Sequence, residues 1–289
     1  MDLCGLQYRK RLERSGGERR LTAMRSEEDL RSCCDRAKEA GDYGAYLQAK
    51  SELVDFYRET FRFEEAFSAA EDVLMLMEEL NLEETESFAA ALMQAAVTYR
   101  EAGREQEALT AFTRALKICE AIWKPEDERF VGLDREIGLL LERLGEEERA
   151  EIFLQKALTL LENRPDATGK AAQVKTDLAL LALRRKRPER AQTLLEEAIA
   201  GFRASGNQGD VRYSASLAGL GEALFSQGRL EKALEAYEQA LSAIEKHFGK
   251  NESYAILCQN CAAIFRRLGE TDRAKRYEET ALFLLREKD

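Results

Sequence analysis

The residue types that carry most protein chemistry are sparse in this chain of 289 residues, and their spacing is poor for catalysis. The sharpest pattern is Cys258-Gln259-Asn260-Cys261. A CxxC pair joined by a second pair at suitable distance would suggest zinc. Here the adjacent Cys33-Cys34 is badly placed to complete such a set, and Cys4 and Cys119 stand alone. A three-residue spacing puts Cys258 and Cys261 on one face of a helix, where a free cysteine behaves as a small hydrophobe. No metal and no disulfide framework are expected, because a long chain without an export signal keeps its thiols reduced. One histidine, His247, rules out every mechanism that needs two. No carboxylate or nucleophile stands out as its partner in a triad. Gly219-Leu220-Gly221 sits inside a helical pattern, and Gly206-Asn207-Gln208-Gly209-Asp210 is a loop with no phosphate-binding lysine after it. Glutamate runs such as Glu146-Glu147-Glu148 suit solvated helix starts. The expectation is no enzyme and no cofactor.

The elements that hold these residues are helices. Ala, Leu, Glu, Lys and Arg exceed half of the chain, a composition typical of long or repeated helices. Only 3 Pro and 18 Gly punctuate it, too few for a sandwich of short strands. With 45% hydrophobic residues the chain can bury a core. Its net charge of −10 makes nucleic acid an unlikely main ligand. The charge is uneven: residues 1–25 carry Arg9, Lys10, Arg11, Arg14, Arg19, Arg20 and Arg25 against Asp2, Glu13 and Glu18. That segment reads as a basic, flexible N-terminal arm, and residues 26–289 as the folded array. No apolar stretch is long enough to span a membrane and no secretory signal is visible, so the expected location is cytoplasmic.

A repeat organises the array. Tyr57-Arg58-Glu59 through Ala66 aligns without a gap on Tyr99-Arg100-Glu101 through Ala108, 42 residues later. The alanine returns at Ala150, Ala191, Ala233 and Ala274. Seven residues after each comes a small residue (Val73, Ala115, Ala157, Ala198, Ala240, Ala281), followed at once by Leu74, Leu116, Leu158, Ile199, Leu241 or Leu282. Twelve residues before each alanine stands Val54, Ala96, Gly138, Ala179, Gly221 or Ala262. Five residues before it, Gly103, Gly145, Gly228 and Gly269 mark a left-handed helix end, with Phe61 and Lys186 as less ideal substitutes. Each copy therefore reads as two antiparallel helices, with small residues where the pair approaches closely and large aliphatics between copies. The pairs are expected near 43–60 with 63–80, 84–102 with 105–122, 126–144 with 147–163, 168–185 with 188–205, 208–227 with 230–247, and 251–268 with 271–288. A helix over 27–40 caps the first. Lys50, Asp134 and Lys175 replace a large apolar residue in copies one, three and four, and the third and fourth copies are where the array would loosen.

The fifth copy, Leu217-x2-Leu220-Gly221-x2-Leu224-x3-Gly228-x4-Ala233-x3-Tyr237-x2-Ala240, resembles the tetratricopeptide repeat. The 42-residue period and Ala240-Leu241-x2-Ile244-Glu245-Lys246-His247-Phe248-Gly249, followed by Tyr254-Ala255, resemble the longer form found in kinesin light chains. The resemblance implies an all-α fold, a right-handed superhelical solenoid of antiparallel helix pairs, whose first helices line a concave groove. On that register the groove carries Arg58, Arg100, Arg143, Arg184, Arg266 and Arg267 beside an apolar floor with Val97, Leu139, Leu180 and Phe225. No asparagine stands where the carboxylate-clamp variety of the family needs one.

The resulting expectation is a non-catalytic protein–protein interaction scaffold that binds a peptide or helix of a partner, with an acidic, partly apolar segment as the preferred ligand. The alternative is a cytoplasmic regulator that responds to a signalling peptide.

Overall fold

The computed structural model describes residues 26–162 and 164–286. The basic arm, residues 1–25, and Cys4 within it lie outside the described residues. Among those described are thirteen α-helices, one short 3-10 turn at Pro165–Ala167, and no strand. In chain order the helices are α1 (Glu27–Glu39), α2 (Tyr43–Glu59), α3 (Phe63–Glu79), α4 (Glu86–Glu101), α5 (Glu105–Ile122), α6 (Arg129–Arg143), α7 (Glu147–Leu161), α8 (Thr168–Arg184), α9 (Pro188–Ala204), α10 (Val211–Ser226), α11 (Leu230–Phe248), α12 (Glu252–Arg267) and α13 (Thr271–Arg286). They fall into two compact units that divide between Phe153 and Leu154, inside α7. The first unit holds α1–α6 and the start of α7, and the second holds the rest of α7 and α8–α13.

Within each unit the helices pair as the repeat predicts. α2 packs on α3 and α4 on α5 in the first; α8 packs on α9, α10 on α11 and α12 on α13 in the second. The turn inside every copy has one hydrogen-bond pattern. The Gly103 N–H donates to the Arg100 carbonyl (3.1 Å) and the Arg104 N–H to the Tyr99 carbonyl (2.8 Å). The same pair of bonds recurs at Phe61–Arg62, Gly145–Glu146, Lys186–Arg187, Gly228–Arg229 and Gly269–Glu270. This double bond from the residues after the helix satisfies carbonyls that its last turn leaves open. It requires a left-handed residue, and Phe61 (φ 60°) and Lys186 (φ 55°) adopt that conformation with the glycines. Side chains strain there by about 1–2 kcal/mol.

The starts of the first helices are fixed differently. Side-chain oxygens of Asp42, Thr85, Asp210 and Asn251 accept from the backbone N–H groups of Ala45, Phe88, Arg212 and Tyr254. Because Thr85 and Asp210 are the caps, α4 and α10 begin later than the repeat alone suggests. Second helices begin instead in the tight turn, and Arg62, Arg104, Arg187 and Arg229 occupy the position before them without a side-chain cap.

The repeated small positions are the closest contacts. All six repeated alanines, Ala66 through Ala274, are at most 1% exposed. Gly221 in α10 shows why size matters, since a Cβ there would lie 2.6–2.9 Å from the Tyr237 ring of α11. The substituted positions have a local remedy. Lys50 in α2 reaches Asp72 of α3 at 2.5 Å, and Lys175 in α8 reaches Glu197 of α9 at the same distance, both 22 residues ahead. Burial pulls the Lys50 ammonium down, but Asp72, with Tyr46 and Cys34, outweighs it and leaves the pKa above the ordinary lysine value. Asp134 in α6 is buried at 5% exposure.

Candidate partner-binding face

The first helix of each copy carries the residues assigned to a groove, and the two units arrange them differently. In the first unit Arg58, near the end of α2, is enclosed by carboxylates. Its guanidinium lies 2.9 Å from Asp55, 2.9 Å from Glu101 and 3.9 Å from Glu59, with only 15% of the side chain exposed. Arg100, at the matching place in α4, lies 3.3 Å from Glu136 of α6 and 3.9 Å from Glu101, with 12% exposed. These bonds run from one copy to the next, so the arginines form rungs of a ladder between α2, α4 and α6. Val97 is half-buried beside them, and Leu139 is only 6% exposed. Arg143, also half-buried, has an interaction of its own within the chain.

The counter-charges were the missing half of the sequence pattern. Asp55 stands three residues before Arg58 on the same helix face, and Glu101 follows Arg58 by one repeat period plus one. Those spacings are visible in the sequence once ion pairs between copies are considered. Glu27 had no such signal. At the first turn of α1 it accepts from Arg62 at 2.5 Å, from the Tyr57 hydroxyl at 3.0 Å and from Arg31 at 2.9 Å, which ties the capping helix to α2 and its turn. Chiefly through Arg62, its carboxyl is held below the usual range.

The second unit has fewer charged residues on the corresponding helices, and part of their surface is apolar. Leu180 and Leu183 of α8 and Leu220 and Phe225 of α10 are half-exposed. The Arg267 guanidinium of α12 lies 4.4 Å from the centre of the Phe225 ring. It is exposed and has no carboxylate at ion-pair distance among the described residues. Its neighbour Arg266 pairs with Glu278 of α13, and Arg184 is half-buried with an interaction of its own.

The chemistry-bearing residues are placed as packing residues. Cys258 and Cys261 are 1% and 0% exposed, and burial pushes their thiols up to about 11 and about 12. A thiol in that state is protonated at neutral pH, which makes it a weak nucleophile and a weak metal ligand. Cys119, buried in α5, is likewise pushed up to about 11. His247 is exposed in the last turn of α11, beside Gly209. Among the described residues no group of three or more His, Cys, Asp or Glu is arranged to hold a metal, and no helix is long and apolar enough to cross a membrane.

Comparison with known proteins agrees with this architecture. Residues 88–125, 136–163 and 213–287 each match a family model described as tetratricopeptide repeat. The chain is a tetratricopeptide repeat protein. Among solved structures, this repeat protein is similar to BtubC (BKLC) from P. vanneervenii, with 19% identity and a TM-score of 0.66 over 78% of this chain and 92% of that one. It is also similar to the nearly identical repeats of a putative kinesin light chain from Podosopora anserina, with 20% identity, a TM-score of 0.60, and coverage of 69% and 95%. The apo form of RapI superposes with a TM-score of 0.70 over 89% of this chain and 74% of RapI, at 10% identity. At such identities the likeness is one of fold. No curated protein sequence matches the chain significantly. Tetratricopeptide arrays are typically non-catalytic, and the fold suggests a protein–protein interaction scaffold.

Proposed function

We propose that this scaffold holds a segment of a partner, a peptide or one face of a helix, against the first helices of its copies, and that the segment is apolar with acidic residues. The observation that carries this is the Phe225–Arg267 pair: an exposed guanidinium stacked on an aromatic ring, without a carboxylate of its own. A carboxylate brought by a ligand finds a planar donor there, and apolar side chains find Phe225, Leu220 and Leu183 nearby. Arg58 and Arg100 enter the proposal in a different role. Their carboxylate partners keep the first unit's helices in register, and a ligand acid would have to compete with Asp55, Glu101 and Glu136.

Peptide display tests the proposal directly. A random peptide library is panned on the immobilised full chain and on its Phe225→Ala/Arg267→Glu variant, each checked for native helicity. Sequences enriched in Asp or Glu next to apolar residues on the wild type, and lost on the variant, support the assignment. Enrichment without acidic residues, or equal retention by both proteins, refutes it.

A further inference from the structure

The turns inside the copies differ in how their charges are balanced. Four of them carry an ion pair between the residue four places before the repeated alanine and the residue just before it. Arg62 and Glu65 lie 2.9 Å apart, Arg104 and Glu107 2.8 Å, Glu270 and Arg273 3.0 Å, and Glu146 pairs with Arg149. In copies four and five the same two places hold Arg187 with Arg190, and Arg229 with Lys232. Like charges at that spacing on a helix repel each other. The carboxylate that would neutralise each turn from within its own copy is replaced by a second cation.

The neighbouring residues add to the excess. Over the eight residues before each repeated alanine, copies one to three carry net charges of −1, −1 and −2, whereas copies four and five carry +4 and +1. The two cationic turns adjoin within the second unit. Gln192 of α9 accepts from Arg229 and from Gln227, each at 3.0 Å, which seats the turn of copy five against the start of α9. Lys186, in the copy-four turn, and Lys232 are exposed. Among the described residues, Lys186, Arg229 and Lys232 have no carboxylate at ion-pair distance, and Arg229 has only the neutral Gln192 and Gln227 as hydrogen-bond acceptors. Arg187 and Arg190, also exposed, have interactions of their own within the chain and add their charge to the local field.

Such a patch on a chain of net charge −10 fits an anionic occupant, and its make-up favours a protein. Single-stranded nucleic acid stacks its bases on aromatic rings, and residues 184–190 and 226–232 contain none. A duplex would run past the patch onto an acidic body that repels its phosphates. An anionic membrane takes up apolar side chains beside the cations, and here Pro188 and Leu230 are half-buried. A short run of Asp or Glu asks only for guanidinium and ammonium donors. We infer that the turns of copies four and five form a cationic docking surface for an acidic segment of a partner protein, separate from the face of the first helices.

Fluorescence anisotropy of a labelled octaglutamate peptide with the full chain tests this. Binding is expected at low salt and weakens as salt is added. Arg190→Glu with Lys232→Glu should weaken it by about tenfold or more. That variant installs the opposite-charge pairs of copies one and two, so its helicity and melting temperature should hold or rise. Lys246→Glu with Lys275→Glu changes the net charge equally at other exposed positions of the second unit and should bind as the wild type does. Phe225→Ala with Arg267→Glu should also leave binding intact. No binding by the wild type, or equal loss in the Lys246/Lys275 control, overturns the inference. Loss confined to the Phe225/Arg267 variant moves the peptide to the first-helix face and overturns the separate surface. Tighter binding of a DNA duplex or of phosphatidylserine vesicles than of the peptide overturns the choice of a protein partner.

Discussion

Arg58 in the first unit and Arg267 in the second both stand near the ends of first helices, one register position apart, yet they live in opposite surroundings. Three carboxylates surround Arg58 and most of its side chain is withdrawn from water. Arg267 lies on Phe225 in the open. Arginines one register position apart thus supply a structural rung in one unit and an available cation in the other. A column of arginines counted in a repeat says little about ligands until each one's partners are known. The largest effect that exposes the contrast is charge reversal. Arg58→Glu would add a fourth carboxylate to Asp55, Glu59 and Glu101, and breaking so enclosed a pair costs about 3–5 kcal/mol. Arg267→Glu, as a surface change, stays within about 0.5 kcal/mol. The only tryptophan, Trp123, is buried in the first unit and reports its melting by fluorescence, while circular dichroism reports both units. Similar melting of the two variants would erase the distinction.

The second unit has its own weak point. Gly221→Ala would drive a methyl group into the Tyr237 ring, an overpacking that costs about 1–3 kcal/mol. Because contacts in a repeat array run between neighbours, the loss should shift the dichroism transition more than the Trp123 transition. Equal shifts in both signals would mean that the units melt as one.

Acid separates them from the other side. Arg62 holds the carboxyls of Glu27 and Glu65 below the usual range, and Arg104 does the same to Glu107. All three lie in the first unit. A carboxyl whose folded pKa is depressed adds stability that is present above its unfolded value, near 4.5, and fades as pH falls through the folded value. Trp123 melting should therefore decline below about pH 4.5, as these groups take up protons and release their arginines. A Trp123 melting temperature unchanged from pH 5 to pH 3 would contradict this.

The smallest expected effect is a gain. Phe61 and Lys186 hold left-handed conformations that glycine holds in the other four copies. Replacing either with glycine relieves about 1 kcal/mol of strain, partly offset by the greater freedom of an unfolded glycine. One site lies in each unit, so Phe61→Gly should raise the Trp123 midpoint and Lys186→Gly the dichroism midpoint alone. A drop in either would show that the side chain contributes more than its conformation costs.

Much of the fold was legible because it rests on local rules repeated many times. Ala66 and its counterparts, the glycines at the turns and the period of about 42 place every helix pair to within a few residues. The exceptions were loops governed by individual side chains, such as Thr85, which delays α4, and the segment around Pro125 and Asp127, which delays α6. The face of the first helices was legible only in part. Register placed Arg58, Arg100 and Arg267 at comparable points, but partners from neighbouring copies decide what each one does. Leu139 shows the same limit: its spacing matches Val97 and Leu180, and packing takes it out of reach. Charge counts and register cannot see contacts set by how one copy leans on the next.

The turns inside the copies have a different bearing. In the first two, Arg62 and Arg104 pair with Glu65 and Glu107 three residues on; in the third and sixth the order is reversed, with Glu146 and Glu270 pairing with Arg149 and Arg273. Both partners of each pair lie within one copy, as do the hydrogen bonds that close the turn. A second, third or sixth copy gained or lost by gene duplication would carry its turn intact and leave these pairs whole, whereas Arg62 of the first also serves Glu27 of α1. The rungs at Arg58 and Arg100 lack that freedom, because each borrows a carboxylate from the next copy. Lineages of such arrays would then vary in length more readily where turns are self-sufficient and rungs are absent, and the ladder of the first unit would act as a brake on recombination.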